Sequence, residues 1–302
     1  EIFARLPINI PIRGFWWHGD GVGLGEGGGV EFGGGFGKIT VVSDGMANIS
    51  VHTGVRIDAL KQQIAPTPPL DPAKVYLTFT MSDGDNLTTL YNYFPSYFES
   101  EEFGKFPMGW GIGPSAIDLI PAVVDWYYRR ATPTDEFFAD VSGVGYVFPE
   151  TFGNRYRDCQ AVLDGFLDLT REYLRRTDMH AVRPHGGSPD RMKAYAARIP
   201  ELNCIVADYG RRGGMTYDGS LWWPTDLVPV FHAMTTWGRG VEGMVEEIRG
   251  AVGDRRPAFV NVFVWNWGFR LADLQRVLEE LGDDYVAVTP SQLAELARAS
   301  RR

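Results

Sequence analysis

The segment Met81 to Asn86 reads MSDGDN and follows an apolar run, VYLTFT. It brings Asp83, Asp85 and Asn86 onto one tight turn, where glycine permits the sharp backbone and two like charges can raise the pKa of one carboxyl. A carboxyl kept protonated in this way is a proton donor. The plainer reading is a turn whose Asp and Asn side chains bond their own backbone and cap the next helix. A third reading is a divalent-metal site built from Asp83 and Asp85 with His52 or His185, since carboxylate and imidazole suit several metals. No HxxxH or HExxH spacing supports it, so the expectation is no metal and no cofactor. The segment SGVGYVFP (Ser142 to Pro149) is the second signal: two glycines allow close backbone approach, and Tyr146 offers a ring and a hydroxyl.

Cleaving a glycosidic bond takes one carboxylic acid to protonate the leaving oxygen and a second carboxylate as base or nucleophile, about 5 Å or roughly 6.5 to 9.5 Å away. The chain offers Asp83 or Asp85 paired with Asp208, with Asp85 preferred and with Asp44 and Glu150 in reserve. Flat indole and phenol faces suit sugar C–H faces, while amides and carboxylates bond ring hydroxyls. On that chemistry Asn86, Trp110, Tyr146, His185, Trp265 and Asn266 are expected to line a sugar site.

These residues recur just after short β-branched or aromatic runs, such as ITVV from Ile39, FFADV from Phe137 and AFVNVFVW from Ala258. The runs alternate with amphipathic stretches, as parallel strands joined by crossover helices do. The expected fold is α/β, a barrel of seven to eight parallel strands with surrounding helices, whose active site lies at the carboxyl ends of the strands. An open doubly wound sheet has the same periodicity. One helix is expected over Arg56 to Gln63, and another from Pro290 with Thr289 as its N-cap. Residues 1–37 read as an N-terminal segment and 38–302 as the barrel. Within the former, residues 19–37 are too rich in glycine for a helix by propensity. Gly23, Gly25 and Gly28 have dinucleotide-loop spacing but lack the acidic residue that such a loop needs.

Of 302 residues, 44% are apolar and 22% charged, which suits a chain able to bury a core, and the net charge of -9 repels phosphate backbones and anionic lipid. Nucleic acid and membrane are therefore not expected partners; a carbohydrate is. The N-terminus lacks the pattern of a signal peptide, and no run reaches the roughly 20 apolar residues of a membrane span. Cys159 and Cys204 read as two unpaired thiols.

In Gly143, Gly145, Tyr146 and Pro149 the chain resembles the glycoside hydrolase family named for its Gly-x-Gly-Tyr-x-Tyr-Pro motif, with Phe148 in the second tyrosine position. SDGMANISVHTG (Ser43 to Gly54), SDGDN and the terminal YVAVTPSQLAEL are similar to further stretches of that family. The resemblance implies a barrel-like catalytic domain in a carbohydrate-processing setting, secreted or periplasmic. A fainter similarity links LTFTMSDGD and SVHTG to polysaccharide deacetylases, but the order is reversed and Arg56 replaces the second histidine. A carbohydrate-binding domain without catalysis is the alternative of another class.

Overall fold

The computed structural model describes residues 1–16, 24–46, 48–211, 221–235 and 239–301, with the side chains of 208–211 and 235 excepted. Two short strands, β1 (Ile10–Arg13) and β2 (Lys38–Val41), pair in parallel as a separate sheet. The others are β3 (Val75–Ser82), β4 (Met108–Ile112), β5 (Asp135–Asp140), β6 (Ala181–Arg183), β7 (Cys204–Arg211), β8 (Leu221–Trp222), β9 (Val230–Thr235), β10 (Ala258–Trp265) and β11 (Tyr285–Ala287). Seven of them, in the order β3-β4-β5-β6-β7-β9-β10, are all parallel, and β10 pairs with both β9 and β3 to close the barrel. An open sheet is thereby excluded. The strand ITVV, expected to begin the barrel, instead belongs to the N-terminal sheet.

Strand residues alternate between two environments, as the pleat requires. Val75, Leu77, Phe79 and Met81 of β3 pack outward with the helices, as do Val260, Val262 and Val264 of β10. Tyr76, Phe138, Ala181, Cys204, Val206, Phe231 and Phe259 point inward, where they meet Leu293, Ala294, Leu296 and Ala297 of the last helix, Pro290–Ser300. These inward residues stand mostly at strand beginnings, so that helix plugs the amino-terminal mouth. Thr289 caps it in a capping box with Gln292, as its sequence predicts. Its entry is fixed by Glu136, fully buried, which accepts from the Ser291 N–H (2.8 Å) and hydroxyl (2.6 Å). Strand β4 turns Gly109 and Gly111 inward because the space is taken: a Cβ on Gly109 would lie 2.8 Å from Pro290, and one on Gly111 2.8 Å from Phe138. Both mouths thus differ in kind, one sealed by the chain's own helix and the other left to the loops after the strands.

Two local expectations fail. The glycine-rich segment does hold a helix, Gly25–Gly35, because here glycine serves close approach. A Cβ on Gly29 would fall 1.9 Å from the Trp16 ring, and the carbonyls of Gly34 and Gly35 accept from the Gly153 and Arg155 amides. Tertiary contacts override the propensity cost. Conversely, residues 56–63 form no helix. Gln62 there bonds both the amide (2.6 Å) and the carbonyl (3.1 Å) of Phe137, standing in for a neighbouring strand, and reaches the Asp178 carbonyl as well. Cys159 and Cys204 are both free thiols. Among the described residues no helix is long and apolar enough to cross a membrane.

Candidate functional site

At the carboxyl end of β3 the SDGDN turn is built by its own polar groups. The Ser82 hydroxyl accepts from the Gly84 N–H (3.1 Å), and the Asp83 carboxylate accepts from the Asp85 N–H (3.0 Å) and the Thr89 hydroxyl (2.8 Å). Gly84 has φ +90°, a conformation that favours glycine. Asp83 therefore fulfils the plain turn-former reading. Asp85 does not: it occupies the N-cap position of the helix Asn86–Asn92 without a side-chain cap bond. Among the described residues its carboxyl accepts no hydrogen bond, although it is half-buried.

That difference separates the two acids electrostatically. Asp83 is raised by burial, but bonds from the Asp85 amide and Thr89 and the nearby Asn266 amide pull it back, against the charge of Asp140. Asp85 is pushed up to about 8, first by burial and then by the charges of Asp83, Asp44, Glu26 and Asp140. With no hydrogen bond to favour its ionised form, Asp85 is the acid of the pair in which burial and neighbouring charge favour the protonated form. Asp140 and Glu26 were not among the residues expected from sequence. Asp140 ends β5 inside the barrel, 1% exposed, in a bidentate pair with Arg183, whose Nε donates at 2.7 Å and whose Nη2 donates to the other oxygen. The Arg183 guanidinium lies 4.2 Å from the Phe263 ring centre. An Asp at the end of an apolar strand and an Arg at the end of the next were the available signals, but only the barrel places them opposite each other.

The glycine motif joins the barrel to the N-terminal sheet. Tyr146 exchanges both backbone hydrogen bonds with Thr40 of β2 (2.7 and 3.2 Å). Gly145 lies so close that a Cβ would sit 2.5 Å from Ile39 and 3.0 Å from the Thr40 carbonyl. Gly143, at φ +142°, leaves no room beside Thr170. Ser142 ties the loop down, donating to the Val147 carbonyl (2.7 Å) and accepting from the His185 amide (2.8 Å). The seam presents Tyr146 to the acids: its phenol is held well above its ordinary pKa by burial and by Asp85, Asp140, Glu26 and Asp83.

The other expected residues divide. His185 packs on Phe148 (4.7 Å between ring centres) and Tyr146 (5.7 Å), so the phenylalanine in the motif's second tyrosine position supplies a ring contact. Trp265, half-buried, ends β10 opposite Ser82 and stacks with the exposed Trp267 at 5.4 Å. Asp44 is exposed and accepts from Thr88 (2.8 Å), near enough to act on Asp85 by charge. Asn86 is engaged structurally: it is 2% exposed, accepts from the Val42 amide (3.2 Å) and donates to the Asp140 carbonyl (3.1 Å), which removes it from a sugar-facing role. Trp110 is likewise no lining residue. It faces outward, fully buried among Phe94, Phe98 and Phe103, with its indole N–H on Asp135 (2.7 Å), because the inward positions of β4 are glycines. Glu150 is exposed and bonds the Ser188 amide (3.0 Å), near Arg191, a loop tie that holds its pKa down. The side chain of Asp208 lies outside the described residues, so the Asp83/Asp85–Asp208 pairing does too. His52 bonds the Tyr91 hydroxyl (2.9 Å), and the described residues contain no group of three or more His, Cys, Asp or Glu arranged to hold a metal.

A closed (β/α) barrel, plugged at one mouth and carrying an acid pair of unequal proton affinity at the other, defines the class: an α/β-barrel protein whose carboxyl-end loops carry its candidate chemistry. The chain belongs to the GxGYxYP family. Residues 73–298 match the model described as "GxGYxYP putative glycoside hydrolase C-terminal domain", and residues 1–54 match that of the "GxGYxYP third domain". The fold is similar to a crystal structure described as a "putative hydrolase" from Bacteroides thetaiotaomicron VPI-5482. The TM-score is 0.82 at 24% identity, over 98% of this chain and 58% of that one. This chain thus spans a little over half the length of that protein. No curated protein matches it.

Proposed function

We propose that the protein hydrolyses glycosidic bonds, with Asp85 as the proton donor to the leaving oxygen and the neighbouring Asp83 as the negative charge that helps keep Asp85 protonated. The observation supporting this is the unequal state of two acids on one turn. Asp85, uncapped and half-buried among like charges, is raised to about 8, while Asp83 is served by N–H and O–H donors. Environments that separate the pKa values of neighbouring carboxyls are how acid and base roles are divided at neutral pH. The family's own name points to the same reaction. Tyr146 and Trp265 would then face a sugar, one offering a protonated phenol and the other an indole face.

The role assigned to Asp85 has a chemical test that separates it from a binding role. An acid is needed only when the leaving group is poor. Asp85→Asn should abolish release from unactivated oligosaccharides yet retain much of the rate on dinitrophenyl glycosides, whose leaving group needs no proton. Equal turnover of both substrate types by the variant and the parent would remove Asp85 from the reaction. A parent protein that retains glycans on an affinity matrix but hydrolyses neither type would be a binding domain.

A further inference from the structure

Asn266 is anchored through its backbone: its N–H donates to the Ser82 carbonyl (3.3 Å), and its own carbonyl accepts from the Tyr97 hydroxyl (2.5 Å). The residue is 1% exposed, and neither its side-chain oxygen nor its nitrogen completes a hydrogen bond. A buried amide left in that state opposes folding, and an apolar group of the same shape would be neutral or better there. It is also sealed from solvent, so it is no direct contact for a sugar. What lies beside it is the Asp83 carboxylate, which its presence biases toward the ionised form.

We propose that Asn266 is a positioning residue that offers its Nδ2–H to the Asp83 carboxylate and so directs the single proton of the pair to Asp85. The proposal rests on the division of roles between Asp83 and Asp85 given above. Among the described residues, the other titratable or charged groups facing the pair are Asp140 with its partner Arg183 from inside the barrel, Asp44 and Glu26 from the N-terminal part, Tyr93 and Tyr97 from the helices after the turn, and Tyr146 from the glycine motif. Arg183 already serves Asp140. Among the described residues, the Asn266 amide is the side-chain N–H donor beside Asp83, since Thr89 donates an O–H and the Asp85 N–H belongs to the backbone.

The test reads proton affinity directly and needs no substrate. Asp side-chain carboxyls would be followed by 13C NMR against pH in the full chain, with Asp83→Asn and Asp85→Asn supplying the assignments. Asn266→Leu should raise the Asp83 midpoint by about one to two pH units, the range expected when a hydrogen bond to a charged group is lost. If leucine does not fit, Asn266→Ala removes the same donor with less volume and should move Asp83 in the same direction. An unmoved Asp83 midpoint in a folded variant overturns the proposal, as does a raised midpoint in the parent equal to that of the variant. The hydrolase reading fails by a separate route, through undiminished turnover of oligosaccharide by Asp85→Asn.

Discussion

Replacing Asp85 with asparagine removes a group whose ionisation the fold resists, so the variant should be the more stable protein at high pH. The carboxyl rises from an ordinary 3.8 to about 8 in the folded chain. Because the folded state binds this proton more tightly than the unfolded state, the stability it contributes is intact below pH ~4. It is lost progressively as pH rises through about 8. The rise spans roughly four decades of proton affinity at about 1.4 kcal/mol each, a ceiling of about 6 kcal/mol. Asp44 and Glu26 contribute part of the repulsion from exposed positions, where solvent screens them, so about 2 to 4 kcal/mol is the working expectation. Asparagine copies the shape of the protonated acid, and the two proteins should therefore melt together near pH 4. Above pH 8 the variant should melt higher by about 4 to 8 °C, taking about 2 °C per kcal/mol for a chain of this size. Paired thermal melts from pH 4 to 9 measure the gap. A gap that does not change with pH, or a variant that is less stable throughout, would refute the assignment of Asp85 as the carrier of the proton.

Two further substitutions probe the frame around the acids. Arg183→Met strands the Asp140 carboxylate inside the barrel and should cost about 3 to 5 kcal/mol by urea unfolding, whereas adding Asp140→Leu to it should recover most of the loss; a double variant no more stable than the single would disprove the pairing argument. Gly145→Ala places a methyl against Ile39 and the Thr40 carbonyl, and should cost about 1 to 3 kcal/mol. Ile39→Ala added to it should relieve only the side-chain share of the clash, leaving a residual deficit in the same assay.

Much of this arrangement was legible in the letters. Period-two apolar runs alternating with helical patterns require a sheet flanked by helices, and Thr289 with Pro290 announced the last helix through local chemistry alone. The SDGDN turn was legible for the same reason, since Ser, Asp, Gly and Asn are the residues that close turns, glycine by reaching positive φ and Asp by bonding the backbone two residues on. Where the reasoning failed, the deciding contact was distant in sequence. The Gly25–Gly35 helix depends on Trp16 and on the amides of Gly153 and Arg155, and Gln62 became a strand surrogate because Phe137 lay beside it.

Residue type by itself indicated only that carboxylates follow several strands and that one of two neighbouring acids could resist ionisation. Which acid does so was a matter of tertiary structure, because it depends on which carboxyl receives donors and which is left among charges brought in from Asp44, Glu26 and Asp140. The closing of the sheet likewise came from β10 pairing with β3 as well as with β9; Ala258 and Val75, which pair there, are 183 positions apart, a contact that no local pattern encodes. Closure then fixed which strand faces turn inward, and with them the burial of Trp110 outside the barrel and of Asp140 and Arg183 within it.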